Sequence, residues 1–78
     1  SINFANTAAL WNALLLAKSR REGYVAFPSL NALDVANMLE ALKIARRYSG
    51  SHNLDDYVDG AGYAGCAGEI AEALNAKS

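Results

Sequence analysis

Along most of this chain the apolar positions recur with the 3.6-residue period of a helix rather than the two-residue period of a strand. From about Asn3 to Arg21, Phe4, Ala8, Trp11 and Leu15 return at helical spacing, and Leu10, Leu14 and Ala17 widen the stripe. Lys18, Arg20 and Arg21 fall in the last turn, where cations suit the helix dipole, and Gly23 reads as the stop. A short apolar stretch follows, with Tyr24, Val25 and Phe27 ahead of Pro28. It has no second strand to pair with, so it reads as a loop packed on the core.

A second helix is predicted from about Ala32 to Tyr48. Ser29 or Asn31 can cap it, and Asn31 with Asp34 resembles a capping box with Asp in place of Glu. Val35, Met38, Leu39, Leu42 and Ala45 form its expected buried stripe. Glu40, Lys43 and Arg47 share its polar face, where Glu40 can pair with Lys43. Gly50 ends the segment. A third helix begins after Asn53, a favourable cap, and runs to about Ala76. Asp55 and Asp56 lie in its first turn, where negative charge is favoured. The expected fold is all-α: a three-helix bundle of antiparallel neighbours in a single domain, residues 1–78.

Size changes this picture. A chain of 78 residues buries a small share of its surface, and small folds are usually reinforced by disulfides, a metal or oligomerisation. Cys66 is the only cysteine and His52 the only histidine, so neither an internal disulfide nor a Cys/His zinc site can form. Oligomerisation remains, and a homodimer forming a larger bundle is expected. The net charge of −1 gives no sign of a nucleic-acid binder. The longest apolar run is broken by Asn12 and falls short of the ~20 residues of a membrane span. No basic segment precedes an apolar core at the start, so no signal peptide is expected. A soluble, cytoplasmic protein with a free thiol is the resulting expectation.

The third helix carries two unusual patterns. Gly60, Gly62, Gly65 and Gly68 interrupt an otherwise helical sequence, each at a cost of roughly 1 kcal/mol relative to Ala. Gly60, Ala64 and Gly68 fall on one line, and Ala61, Gly65 and Gly68 on another. Such a smooth ridge lets a second helix approach closely, either the second helix or a symmetry mate; the alternative is a break near Gly60 to Gly62. Trp11 belongs to the core or to a dimer interface. The other pattern is acidic. Asp59 is three residues after Asp56 and four after Asp55, so either pair turns its carboxylates to one side. Such carboxylates repel unless a cation lies between them, and the spacing suits Mg²⁺. Lys43, Arg46 and Arg47 can supply the compensating charge instead, and the acids are then structural. His52 reads as an exposed loop residue without a partner, and Cys66 as a small buried hydrophobe.

The run "DVANMLEALKIARRYSGSHNLDDYVDGAGYAGCAGEI" resembles a family of small domains encoded by tailed bacteriophages. The matching features are Asp34-Val35, Met38, the segment Leu42 to Arg46, Asp56, Asp59, Gly62-Tyr63 and Glu69-Ile70; "NFANTAALWNALL" looks like that family's opening helix. That family is similar to nucleotide-modification-associated phage domains and, more distantly, to MazG-like all-α nucleotide pyrophosphohydrolases. The distant resemblance implies helical oligomers with Mg²⁺ held by acidic side chains on two helices. In the MazG-like pattern one helix carries Glu-Glu-x-x-Glu and a later one Glu-x-x-Asp. Asp56-x-x-Asp59 stands for the second half, whereas the second helix offers only Asp34 and Glu40, with Asn37 where a third acid would be.

The leading expectation is therefore a phage accessory protein that binds a host or phage protein as an inhibitor or regulator. No residue is assigned as catalytic. The alternative is a Mg²⁺-dependent nucleotide-binding or residual pyrophosphohydrolase domain, with Asp56 and Asp59 on the metal and Lys43, Arg47, Tyr63 and Glu40 on the nucleotide. A purely structural oligomerisation module, built on Gly60, Ala64, Gly65, Gly68 and Trp11, is the third.

Overall fold

A computed structural model describes residues 3–23 and 29–77. Among them are three helices and no strand: α1 (Phe4–Glu22), α2 (Ala32–Arg46) and α3 (Leu54–Ala76). The fold is all-α. The expected apolar loop at Tyr24, Val25 and Phe27 lies outside the described residues. The chain divides into two compact units, Ser1–Val35 and Ala36–Ser78, with the boundary inside α2.

In the first unit α1 starts where Asn3 Oδ1 accepts the Asn6 N–H at 3.0 Å, relieving one of the four unpaired donors at a helix start. It ends at Gly23, whose φ of 78° is left-handed and whose N–H reaches Ser19 O. One face turns inward: Ala8 and Ser19 are buried, and Phe4, Trp11 and Asn12 half-buried. Leu10 and Leu14, expected to widen the buried stripe, are instead each 60% exposed, and Ala17 is exposed too. They lie on the opposite side of the helix from Ala8 and Ser19, so no rotation of α1 buries both sets.

Asn12, which breaks the apolar run, has a specific task. Its Nδ2 donates to Leu30 O and its Oδ1 accepts from Leu30 N, both at 2.8 Å. One side-chain amide thus satisfies both polar groups of a residue that no helix or sheet serves. Next to it the reciprocal cap of α2 is formed: Asn31 N–H donates to Asp34 Oδ2 and Asp34 N–H to Asn31 Oδ1, both at 2.9 Å.

The second unit is a helical hairpin of α2 and α3. α2 ends two residues before the predicted Tyr48, and the amides of Arg47, Tyr48 and Ser49 bond three residues back, tightening the exit. Gly50, at φ 70°, turns the chain. Asn53 then caps α3 through Asp55 N–H at 3.0 Å. α3 is continuous from Leu54 to Ala76, with no break at Gly60 to Gly62.

The buried face of α2 is only in part the one its apolar residues mark. Val35 and Ala36 are fully buried and Leu39 half-buried, but Met38, Leu42 and Ala45 are exposed. Lys43 and Arg47, read as part of a polar face able to compensate the acids of the third helix, do turn toward α3. The helix rotates because α3 offers carboxylates and a gap, and the long stems of Lys and Arg cover apolar surface while their heads find charge.

Candidate functional site

The candidate residues meet along the α2–α3 hairpin. Lys43 Nζ lies 3.0 Å from Asp59 Oδ2. Arg46 Nε lies 2.9 Å from Asp56 Oδ1. Walking back along α2 from Arg46 to Lys43 moves the partner forward along α3 from Asp56 to Asp59, as antiparallel helices require.

The two pairs differ in environment. The Asp56 side chain is 6% exposed and its partner Arg46 is 52% exposed. A buried carboxylate costs several kcal/mol in lost hydration unless it is paired. The guanidinium supplies that charge while keeping its own outer edge in water. Asp56 Oδ1 receives no well-directed hydrogen bond, so the contact is an ion pair held by charge and proximity. In the Lys43–Asp59 pair the burial is reversed: the lysine is the more covered partner and the carboxylate is about half exposed. Such a pair contributes about 0.2–1 kcal/mol.

Arg47 has no carboxylate. Its Nη2 points at the Asp56 backbone carbonyl at 3.5 Å, and its guanidinium lies 4.4 Å from the centre of the Tyr57 ring. The ring face substitutes for a counter-ion. Its Nε is buried without a hydrogen-bond partner. Room for this side chain comes from Gly60: a Cβ there would sit 2.5 Å from Arg47 Nη2 and 3.4 Å from Lys43 Cβ. Of the glycines in the ridge expected from the sequence, Gly60 is the one in close approach to α2. A Cβ at Gly62, Gly65 or Gly68 would meet nothing within 4 Å, so the rest of the ridge is not consumed by this chain.

The remaining candidates are more dispersed. Glu40 makes no ion pair with Lys43, which Asp59 takes. Tyr63 and Ala64 are half-buried on α3, and Cys66 is half-buried rather than buried. Trp11 is half-buried in the first unit. His52 is exposed but not isolated, its ring 6.0 Å from that of Tyr57. Among the described residues, no three His, Cys, Asp or Glu side chains gather where a metal ion could be held. Each candidate carboxylate faces a cation of its own chain, Asp56 facing Arg46 and Asp59 facing Lys43.

The role of Asn12 and the choice of Arg46 as the partner of Asp56 escaped the sequence reading. Asn12 was legible in principle, since an amide on an apolar stripe must find polar partners. The particular partnership of Arg46 with Asp56 had no such signal, because it depends on how far α2 rotates.

The family described as "Domain of unknown function (DUF6378)" matches residues 1–71. The chain belongs to the DUF6378 family. The match takes in α1, α2 and most of α3, and with them every residue of the hairpin's ionic seam. No curated protein and no solved structure matches this DUF6378 chain. Among its described residues no helix is long and apolar enough to cross a membrane.

Proposed function

We propose that this DUF6378 protein works by binding another protein, with the outer face of α2 as its contact surface. One observation carries the reading. Met38, Ala41, Leu42 and Ala45 follow one another at i, i+3, i+4 and i+7, and all four are exposed. That spacing is the one by which a helix enters an apolar groove on a partner. Tyr48, 89% exposed, stands just beyond the helix end as an aromatic anchor of the kind that dominates interface energies. In keeping with the resemblance to phage-encoded domains, the proposed partner is a host or phage protein in the bacterial cytoplasm, and the proposed outcome is inhibition or regulation.

The nucleotide reading needs carboxylates that can take Mg²⁺ and clamp phosphates. In this structure Asp56 and Asp59 each face a cation of the chain, Arg46 and Lys43, which Mg²⁺ would have to displace. The test is photo-crosslinking in host cells from a probe residue at Leu42. The expected result is one dominant adduct that disappears when Tyr48→Asp is added. A parallel thermal-shift titration with Mg²⁺ and nucleoside triphosphates is expected to be flat. A nucleotide-specific rise in Tm that Asp59→Asn removes would replace this reading with the enzymatic one.

A further inference from the structure

We infer that a second copy of this chain docks α1 in parallel along the open face of α3, through a surface distinct from the α2 face proposed above. Two uncovered faces of the molecule share one spacing. On α1 the series is Leu10, Leu14, Ala17 and Arg21; on α3 it is Val58, Gly62, Gly65 and Glu69. Each runs in steps of four, three and four, the repeat by which two helices keep one seam in contact. All eight residues are exposed. Leu10 and Leu14 are 60% exposed and Val58 57%.

The faces are complementary in shape and in charge. In the parallel register Leu10 meets Val58, the Leu14 knob enters the gap over Gly62, and Ala17 lies on Gly65. Neither glycine has any atom within 4 Å of where a Cβ would sit, so the groove is open to a side chain from outside. The seam closes with Arg21 opposite Glu69. The chain's ion pairs among the described residues are Lys18–Glu22, Lys43–Asp59 and Arg46–Asp56, which leaves both of these charges unpaired. A second copy is the occupant because each chain carries one such α1 and one open α3 of complementary spacing and charge. In a two-fold dimer the same contact is made twice, each copy giving its α1 and receiving its partner's.

Analytical ultracentrifugation across the micromolar range tests this, with helix content followed by circular dichroism. The wild type is expected to be a dimer. Gly62→Leu and Gly65→Leu put side chains into the groove at positions where the chain itself has room. They are expected to keep the helix content and weaken dimerisation about tenfold or more, as overpacking a formed interface does. Arg21→Glu and Glu69→Arg are each expected to weaken the dimer, and the double exchange to restore it. Leu42→Glu, on the α2 face, is expected to leave it intact. A monomeric wild type overturns the inference, including the case in which the glycine variants unfold because the chain's own α1 fills the groove. So does a dimer that ignores the glycine variants, one that the charge exchange fails to restore, or one that Leu42→Glu dissociates.

Discussion

Asn12 in the first unit and Arg46 in the second each hold a neighbouring segment in place, by different chemistry. Asn12 uses a neutral amide and two aligned 2.8 Å hydrogen bonds to one backbone residue. Arg46 uses a charge opposite a buried carboxylate, with no well-directed hydrogen bond at the Asp56 oxygen it approaches. The amide demands geometry and tolerates salt. The charge tolerates geometry and depends on what surrounds it. The apolar cores beside both contacts are thin: the buried hydrophobic residues among those described are Ala8, Val35, Ala36 and Ala67. Polar contacts therefore carry more of the definition of this fold than they do in a large domain.

The largest effect is expected where a buried charge loses its partner. Arg46→Met leaves the Asp56 carboxylate covered and uncompensated. Removing one partner of a fully buried pair costs about 3–5 kcal/mol. Arg46 is half exposed, so water enters in its place and the expected loss is about 2–3 kcal/mol. Asp56→Asn is expected to cost clearly less, because the arginine it frees is already hydrated. Urea unfolding of the two variants checks this; equal losses, or a larger one for Asp56→Asn, would mean the carboxylate is better solvated than its burial implies.

Next comes the neutral contact. Asn12→Leu keeps the volume and leaves the Leu30 N–H and C=O without their partner. An unsatisfied buried polar group costs about 1–3 kcal/mol, and Leu30 is only half-buried, so the expected loss is about 1–2 kcal/mol. This loss is expected to be the same in low and high salt, unlike that of a variant at a solvent-exposed ion pair. Hydrogen exchange at the Leu30 amide gives a local readout, with protection falling in the variant.

Glycine sharpens the contrast within α3 itself. Gly68→Ala adds a methyl group where nothing stands within 4 Å and removes the helix penalty, so it is expected to stabilise by up to about 1 kcal/mol. Gly60→Ala brings the same propensity gain but drives Arg47 Nη2 away from its place over Tyr57. Its expected gain is therefore smaller or absent. Thermal melts side by side decide it, and equal gains would show that Arg47 shifts at no cost.

The same residues show how much of the structure could be read in advance. The three helices, the Asn31–Asp34 cap and the end of α3 at Ala76 were legible because capping and periodicity are local properties. So was a close approach along the ridge that holds Gly60. The rotation of α2 was not. Hydrophobic pattern alone points Met38 and Leu42 inward, and only the placement of Asp56, Asp59 and Gly60 on a later helix turns Lys43 and Arg46 there instead. That is a competition between two faces of one helix, and it is decided by partners on the next helix. The candidate site was legible as a list of residues, since Lys43 and Asp59 do meet. That a cation of α2 could satisfy Asp59 was legible too; what the list could not fix is which cation faces which acid.

The smallest effect separates the seam's outer pair from its inner one. Lys43→Met removes the ammonium that faces Asp59. That carboxylate is about half exposed and recovers hydration when it loses its partner. The methionine keeps most of the stem that lies beside Gly60, so packing changes little. The expected loss is about 0.2–1 kcal/mol, the range of pairs open to solvent. It is expected to shrink further as salt rises toward 1 M, where the screening length falls to about 3 Å. Arg46→Met is expected to keep most of its cost in that salt, because the carboxylate it exposes to imbalance is buried. If Lys43→Met proves as costly as Arg46→Met and as insensitive to salt, then the two pairs act as one buried network. The distinction between a solvated outer pair and a buried inner one would then fail.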